Sequence, residues 1–572
     1  MKMKRMLSLA AWMASVTLLA GVAVGQTTRP ARNRPATSQF QPAERIELKT
    51  QEFGSVFYPG DKVELLASVF PGGKQLPKEI TCTVTDADGK EVGAAKLHVL
   101  EQIDGLVMAG AAWETLFTAD KNPGLGYYTV EAKAGDLKAT LAFVVVPKPR
   151  EMDAEKSCMG MVVSPTSPKD GDLAGYLHAG KRMGMRWASV DVAMSMYAPS
   201  ADVLDFEKGA GRMVNLDTLV DLATKENMVV NQKLFGVPAW LASDATDKCR
   251  SPWYKDCYTS PIKDKDAYAK VVTTMVTRYK GKIRSYEFGN SPFREDRYYC
   301  GTNEEFIRDL TWTHDAVKAG DPTALVCAAG FVQKNTLVPE LLKKAPNIID
   351  VLTVHYITAD AGEGREPQWY FAAPPSWYDA IFQEVGFRKP MWDTSAIGIP
   401  QDDLNMKKTQ SVVMNTSGVS EEGILRSLVR NLANGVSRTM FSALNIPGTH
   451  QNIFTADAQP RTSVCEYAVA GREFDGAKFL QKMTLPGKLE GYYFQRGDDV
   501  FAVLWSNANG TGGKVELPAK GDSCVVVDRF GRETKAQASD GKVSMLVSFR
   551  PVIIHGLAQP PASQPATEPA GK

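Results

Sequence analysis

The chain has 572 residues, of which 44% are hydrophobic and 23% are charged. That composition is ordinary for globular proteins, and the length predicts two to four domains because single cores rarely grow beyond about 300 residues. The 66 Lys and Arg residues almost balance the 65 Asp and Glu residues, which leaves a net charge of +1. This balance implies no basic face, so a nucleic acid is not expected as a partner.

Residues 1–25 have the pattern of a secretory signal peptide. Basic residues at positions 2, 4 and 5 precede an apolar run from Met6 to Val24, and Ala23-Val24-Gly25 is a small-x-small cleavage site. We therefore expect export to the periplasm, the cell surface or the medium, with no membrane span after cleavage. Residues 26–44 and 558–572 are rich in Pro, Ser and Thr, and they are predicted to be a disordered linker and a disordered tail.

Eight cysteines occur in this predicted exported chain, and exported proteins meet an oxidising environment. Cys249, Cys257 and Cys300 fall in loops, so we expect at most one or two disulfides, with these three as the candidates. The cysteines form no CxxC pair, and the chain contains no HExxH motif, phosphate-binding loop or dinucleotide-binding glycine pattern. No metal and no cofactor are therefore expected.

Residues 45–147 predict an N-terminal β-sandwich of the immunoglobulin-like type. Short stretches of alternating apolar and polar residues are separated by Pro-Gly, Asp-Gly and Ala-Gly turns, which is the pattern of antiparallel hairpins. Regularly spaced short strands with such turns are typical of all-β sandwiches. The sequence PKPRE at 147–151 then separates this domain from the next.

Residues 152–480 predict a (β/α)8 barrel. Eight short apolar runs alternate with amphipathic helical segments such as KDAYAKVVTTMVTRYKG, and a barrel of this type usually has about 250 residues or more. An open doubly wound sheet is the alternative, but eight repeats and no phosphate loop favour the barrel. A helix over VCEYAVAGREFDGAKFLQK leads into a predicted second β-sandwich at 486–557. The eight runs are GMVVSP, MRWASVDV, MVVNQKLFG, IRSYEFGN, ALVCAAGF, IIDVLTVHYI, KPMWDTSA and SRTMFSALN.

The ends of four predicted barrel strands carry recognisable motifs. They read GVPAWLAS, TRYKGKIRSYEFGNSP, VHYI and KPMWDTSAIG, and catalytic residues of such barrels lie at the carboxyl ends of the strands. The chain resembles the retaining (β/α)8 glycoside hydrolases of the β-xylosidase-like and cellulase-like families. Those families have Asn-Glu-Pro after strand four, His-Tyr on strand six and Trp-x-Thr-Glu-x-Gly on strand seven. The resemblance implies a barrel fold and an oligosaccharide or polysaccharide ligand.

Both glutamates of the family pattern are replaced in this chain. By the resemblance, Ser291 occupies the position of the acid/base and Ser395 that of the nucleophile, while the flanking residues of both motifs are retained. Retaining glycosidases need two carboxyl groups about 5–5.5 Å apart. A serine hydroxyl does not ionise near neutral pH, so it cannot replace a carboxylic acid as proton donor. The sequence therefore predicts a glycan-binding protein whose glycosidase activity is lost or impaired.

Two displaced carboxylates are candidate substitutes. Strand alternation puts Asp393 on the face of Ser395, about 6–7 Å deeper, and Glu295 lies in the loop after strand four. An inverting pair is farther apart, about 6.5–9.5 Å, so an active hydrolase using these two acids remains an alternative. Glu287 is expected to be a hydrogen-bonded carboxylate of the barrel interior. The same alternation predicts that Trp392 faces the helices.

The remaining candidates would bind sugar rather than cleave it. Aromatic walls with a few polar groups are typical of small-ligand pockets. Trp240 can equally be a packing residue of the barrel rim, and a third hypothesis makes the whole chain a structural envelope protein, since fold alone does not choose among functions. The candidate sugar-binding residues are Asn290, Trp240, His355, Tyr356, Trp369 and Asn445.

Overall fold

A computed structural model gives the fold of the main part of the chain. It describes residues 44–70, 79–98, 109–110, 113–164, 173–207, 214–251, 256–292, 299–332, 334–355, 373, 375–396, 423–441, 453–455, 457–507 and 512–560. The predicted signal peptide, most of the predicted linker and most of the predicted tail lie outside these residues.

Two sheets pack face to face in the N-terminal region. One sheet contains β1, β3, β6 and β7, and the other runs in the order β2-β9-β8-β4-β5. Burial alternates along β8, and apolar residues of both sheets, such as Leu65 and Val130, share one core. The strands are β1 Arg45–Thr50, β2 Val56–Phe57, β3 Val63–Phe70, β4 Glu79–Asp86, β5 Glu91–His98, β6 Ala109–Gly110, β7 Glu114–Phe117, β8 Gly126–Ala134 and β9 Leu137–Val145.

Eight parallel strands close into a barrel, which confirms the predicted fold. Each of the eight apolar runs in the sequence forms one of these strands. A two-stranded hairpin, β13 Val237–Pro238 and β14 Cys257–Tyr258, lies between the third and fourth strands. The barrel strands are β10 Met159–Val163, β11 Trp187–Val190, β12 Val229–Leu234, β15 Ile283–Phe288, β16 Leu325–Phe331, β17 Val351–His355, β18 Met391–Ala396 and β19 Val436–Phe441.

Helices alternate with the barrel strands, and some of them begin with a side-chain cap. The side chain of Asp264 accepts a hydrogen bond from the Ala267 N–H, and Thr302 with Glu305 forms a capping box, which satisfies backbone donors at the helix start. The helices are α1 Leu173–Arg182, α2 Met194–Tyr197, α3 Leu216–Lys225, α4 Lys265–Arg278, α5 Asn303–Gly320, α6 Leu337–Lys344, α7 Pro375–Val385, α8 Gly423–Ala433 and α9 Ser463–Phe474.

The floor of the barrel is closed by two tryptophans and an arginine. The Trp187 and Trp392 rings are 5.1 Å apart, and the Arg438 guanidinium lies 3.7 Å and 4.1 Å from their centroids. Trp392 therefore faces the barrel interior, and the prediction that it faces the helices is wrong. The cause is a register shift in β18, where Asp393 pairs with Val354 but Ser395 pairs with His355. The extra residue between these two pairs breaks the regular alternation of side chains, so residues before the shift face the opposite side from the one predicted by counting back from Ser395.

An antiparallel sheet of eight strands, in the order β20-β21-β22-β27-β24-β25-β26-β23, forms the C-terminal region. The predicted helix at 464–482 is too long: α9 ends at Phe474, and Gly476 (φ +73°) turns the chain into β20. The strands are β20 Lys478–Lys482, β21 Leu489–Arg496, β22 Asp499–Ser506, β23 Gly513–Pro518, β24 Ser523–Val527, β25 Glu533–Ser539, β26 Lys542–Val547 and β27 Val552–Leu557.

Buried ionic contacts join this sheet to the barrel at two places. Arg430 of α8 makes a bidentate bond with Glu490 of β21, at 2.9 Å and 2.6 Å. His555 of β27 contacts Asp499 through Nδ1 at 2.7 Å and Glu473 of α9 through Nε2 at 3.3 Å. The charged groups at both places are largely buried. Removing one partner of such a pair is therefore expected to destabilise the fold.

Candidate functional site

Ser291, His355 and Ser395 lie together at the carboxyl ends of the barrel strands. The Ser291 hydroxyl is 2.8 Å from Nδ1 of His355. His355 is the last residue of β17, and its backbone pairs with that of Ser395 on β18. His355 therefore contacts Ser291 through its side chain and pairs with Ser395 through its backbone.

Glu287 lies in the barrel interior on β15 and is fully buried. Its carboxylate accepts hydrogen bonds from the hydroxyls of Thr353 and Thr394, both at 2.8 Å, and from the amide of Asn231 at 3.0 Å. Burial raises the pKa of Glu287, while the charge of Lys233 and these three donors oppose the rise. Every contact described for this carboxylate comes from the barrel interior, as expected for a structural acceptor.

Asn231 extends this interior network to Ser189 on strand β11 and to Ser285 on β15. Its amide donates to Ser189 at 3.2 Å, and its carbonyl accepts from Ser285 at 2.7 Å. Lys233 is 1% exposed and forms an ion pair with Asp191 at 3.0 Å. We call the set Ser189, Asn231, Ser285, Glu287, Thr353 and Thr394 the barrel network. Sequence analysis predicted the interior carboxylate of Glu287 but not its partners, although the polar letters inside the apolar run MVVNQKLFG indicate inward-facing polar side chains.

Asp393 does not share the face that was predicted for it. Its Oδ2 accepts a hydrogen bond from Asn431 of helix α8 at 3.3 Å, and its Oδ1 accepts from the Ser395 N–H at 3.2 Å. The residue is fully buried, between the barrel wall and the helix layer. The register shift in β18 that turns Trp392 inward also turns Asp393 outward. Its position therefore gives no support to a role as substitute acid.

Trp240 and Asn290 are both half-buried near the strand ends. The indole N–H of Trp240 donates to the carbonyl of Ala198 at 2.8 Å, and its ring packs against the main core. Asn290 lines a cavity of about 50 Å³ together with Phe288 and Tyr299. The other predicted site residues, Glu295, Tyr356, Trp369 and Asn445, lie outside the described residues.

All eight cysteines are free thiols, which lies within the predicted limit of at most one or two disulfides. Cys257 is buried and accepts a hydrogen bond from Ser195 at 3.3 Å, whereas the Cys249 thiol faces Asp244 at 3.5 Å. Within the described residues, no group of three His, Cys, Asp or Glu side chains is arranged to hold a metal ion. The helices in the same part of the chain are too short or too polar to cross a membrane.

Solved structures show what this fold is similar to. A family 39 glycoside hydrolase from Bacteroides cellulosilyticus WH2 superposes with a TM-score of 0.64 at 16% identity, covering 89% of this chain and 99% of that one. A GH39 β-xylosidase from Caulobacter crescentus covers 72% of this chain and 98% of its own, at 13% identity and a TM-score of 0.48. No protein-family model and no curated protein matches the chain. The chain thus has a glycoside hydrolase-like fold, similar to that of the family 39 enzyme, and identities this low establish the fold alone.

Proposed function

We propose that this protein is exported and binds an oligosaccharide or polysaccharide at the mouth of its barrel without cleaving glycosidic bonds. The proposal is carried by the two serines, Ser291 and Ser395, that the sequence resemblance assigns to the positions of the two family carboxylates. Proton donation to a leaving sugar oxygen needs an acid whose pKa lies near the working pH. A serine hydroxyl cannot meet this need.

The nearby carboxylates support the same conclusion. Glu287 is held by three hydrogen bonds inside the barrel network, and Asp393 is turned toward Asn431 in the helix layer. Asp191 forms an ion pair with Lys233 at 3.0 Å. A retaining pair must present two carboxyl groups to one sugar, and none of these three is placed as the family pattern requires.

The glycan as ligand rests on the glycoside hydrolase-like fold and on the residues at the strand ends. Ligands of such barrels bind at the carboxyl ends of the strands, where Asn290 and His355 offer polar contacts and Trp240 a half-buried ring. Export rests on the signal-peptide pattern of residues 1–25. Signal cleavage is tested by the N-terminal sequence of protein secreted by a bacterial host.

Binding and cleavage are tested on the same protein. Isothermal titration with xylo- and cello-oligosaccharides measures binding, and release of aryl alcohol from aryl glycosides measures cleavage from about pH 4 to about pH 9. We expect binding with no release. Turnover that disappears in Asp393→Asn would establish the alternative of an active hydrolase with displaced acids. The structural role would be favoured if no oligosaccharide binds the protein and if Trp240→Ala leaves the titration unchanged.

A further inference from the structure

The backbone of Ser291 has an uncommon conformation at the end of barrel strand β15. Its φ is +53°, a region that costs a non-glycine residue about 1–3 kcal/mol and is often retained at functional sites. The turn is fixed by the Ser291 N–H, which donates to the carbonyl of Ala329 at 3.1 Å. This bond also means that the Ser291 N–H is not an oxyanion donor.

The turn has features of a nucleophile elbow. In that motif a serine at a sharp turn after a strand lies in the pattern Gly-x-Ser-x-Gly. This chain reads Gly289-Asn290-Ser291 directly after β15 and so matches the first half of the pattern, with Phe293 in place of the second glycine. The Ser291 side chain is 4% exposed and that of His355 is 2% exposed. Their 2.8 Å contact is the distance over which an imidazole takes a proton from a hydroxyl.

A glycine on the neighbouring strand makes room for the imidazole. Gly330 of β16 has a φ of +67°, and a Cβ atom there would lie 2.3 Å from Nε2 of His355. The ring thus rests against bare backbone, which fixes the direction in which Nδ1 points. A histidine held in one orientation beside a serine is the arrangement that activates a serine nucleophile.

We infer that Ser291 and His355 form a nucleophile–base pair for acyl transfer from esters. The substrate class, O-acyl groups on a glycan, rests on the proposed function, whereas the reactivity of the pair does not. Ser291 Oγ bonds to the ester carbonyl carbon while Nδ1 of His355 takes the proton of the Ser291 hydroxyl. The ester C–O bond breaks, and the sugar oxygen leaves with the proton returned by His355. Water then hydrolyses the acyl-serine, which releases a carboxylic acid and restores the hydroxyl.

A fluorophosphonate probe tests this reactivity without any glycan. The full-length protein should gain the phosphonyl mass, and peptide mapping should place it on Ser291. Ser291→Ala should abolish the labelling, and His355→Gln should slow it about 100-fold or more, because a general base contributes about 10²–10⁴ in rate. Ser243→Ala is the matched control, since that hydroxyl pairs with another serine, Ser260, at 3.0 Å, and it should leave labelling unchanged.

Two results would overturn the inference. The first is wild-type protein that stays unlabelled or is labelled at a residue other than Ser291. The second is a labelling rate of His355→Gln that equals the rate of the wild type. The mapping uses wild-type protein, so it stands even if Ser291→Ala does not fold. Labelled Ser291 in a protein that binds none of the xylo- or cello-oligosaccharides would refute the proposed glycan function while supporting the serine–histidine pair. Release of acetate from an acetylated oligosaccharide by wild type, but not by Ser291→Ala, would support both.

Discussion

Replacing Glu490 by Gln removes the charge that pairs with Arg430 at the joint between barrel and C-terminal sheet. Both side chains are about one-tenth exposed, and Asn507 also donates to the carboxylate at 2.7 Å. Burial raises the pKa of Glu490, but the hydrogen bonds and charge of Arg430 outweigh it and lower the value from 4.5 to about 2. That difference corresponds to about 3 kcal/mol, and breaking buried pairs typically costs about 3–5 kcal/mol.

Hydrogen exchange measured by mass spectrometry reports the local opening free energy of β21 and α8. We expect Glu490→Gln to speed exchange in these segments on the order of 100-fold, since about 1.4 kcal/mol is a factor of ten. The wild-type contribution is complete above about pH 4.5 and is lost as the pH falls toward about 2, because the folded-state pKa is the lower one.

The matched control is Glu516→Gln in the same sheet. Glu516 is half-exposed and pairs with Lys514 at 3.3 Å, and exposed pairs contribute little to stability. Equal exchange rates in the Glu490 and Glu516 variants would refute the reasoning, since the Glu490 pair is buried and bidentate and the Glu516 pair is exposed. Replacing the buried pair by apolar residues, in Arg430→Met with Glu490→Leu, should recover much of the loss.

Three further predictions concern single side chains. Burial lowers the pKa of His555, but the two carboxylates beside it outweigh this effect and raise the pKa above 6.5. Melting curves of the wild type should therefore show that stability is lost as the pH rises through this raised pKa. The His555→Gln variant should show a weaker dependence of its melting temperature on pH. Glu287→Leu should lower the urea midpoint far more than Glu287→Gln, because it leaves the buried donors of the barrel network unpaired. Gly330→Ala should displace His355 and slow fluorophosphonate labelling of Ser291, and unchanged labelling would contradict the packing described.

The order of strands and helices follows from the sequence because it depends on local apolar periodicity. All eight barrel strands coincide with predicted runs. The side of the barrel wall to which a side chain points depends on strand register. The register shift in β18 places Trp392 and Asp393 on the sides opposite to those predicted. Helix α9 was predicted too long because its apolar pattern continues into β20, past the turn at Gly476.

The candidate site was predictable only in part. The strand-end motifs located Ser291, His355 and Ser395, since their positions follow from strand ends. The hydrogen bond between Ser291 and His355 could not be derived, because it depends on the positive φ of Ser291 and on the glycine beside the imidazole. Contacts between residues far apart in sequence are set by such backbone details rather than by residue type.

One measurement tests the central claim that a glycan is held and not cut. Wild-type protein is incubated with a xylo- or cello-oligosaccharide that it binds in titration, and the sugar is then recovered and its mass determined. We predict that the oligosaccharide is recovered at its original length, because the sequence resemblance assigns Ser291 and Ser395 to the positions of the family acid and nucleophile. The account would be contradicted if purified wild-type protein still forms shortened products and a Ser291→Ala/Asp393→Asn variant does not. It would also be contradicted if none of these oligosaccharides binds.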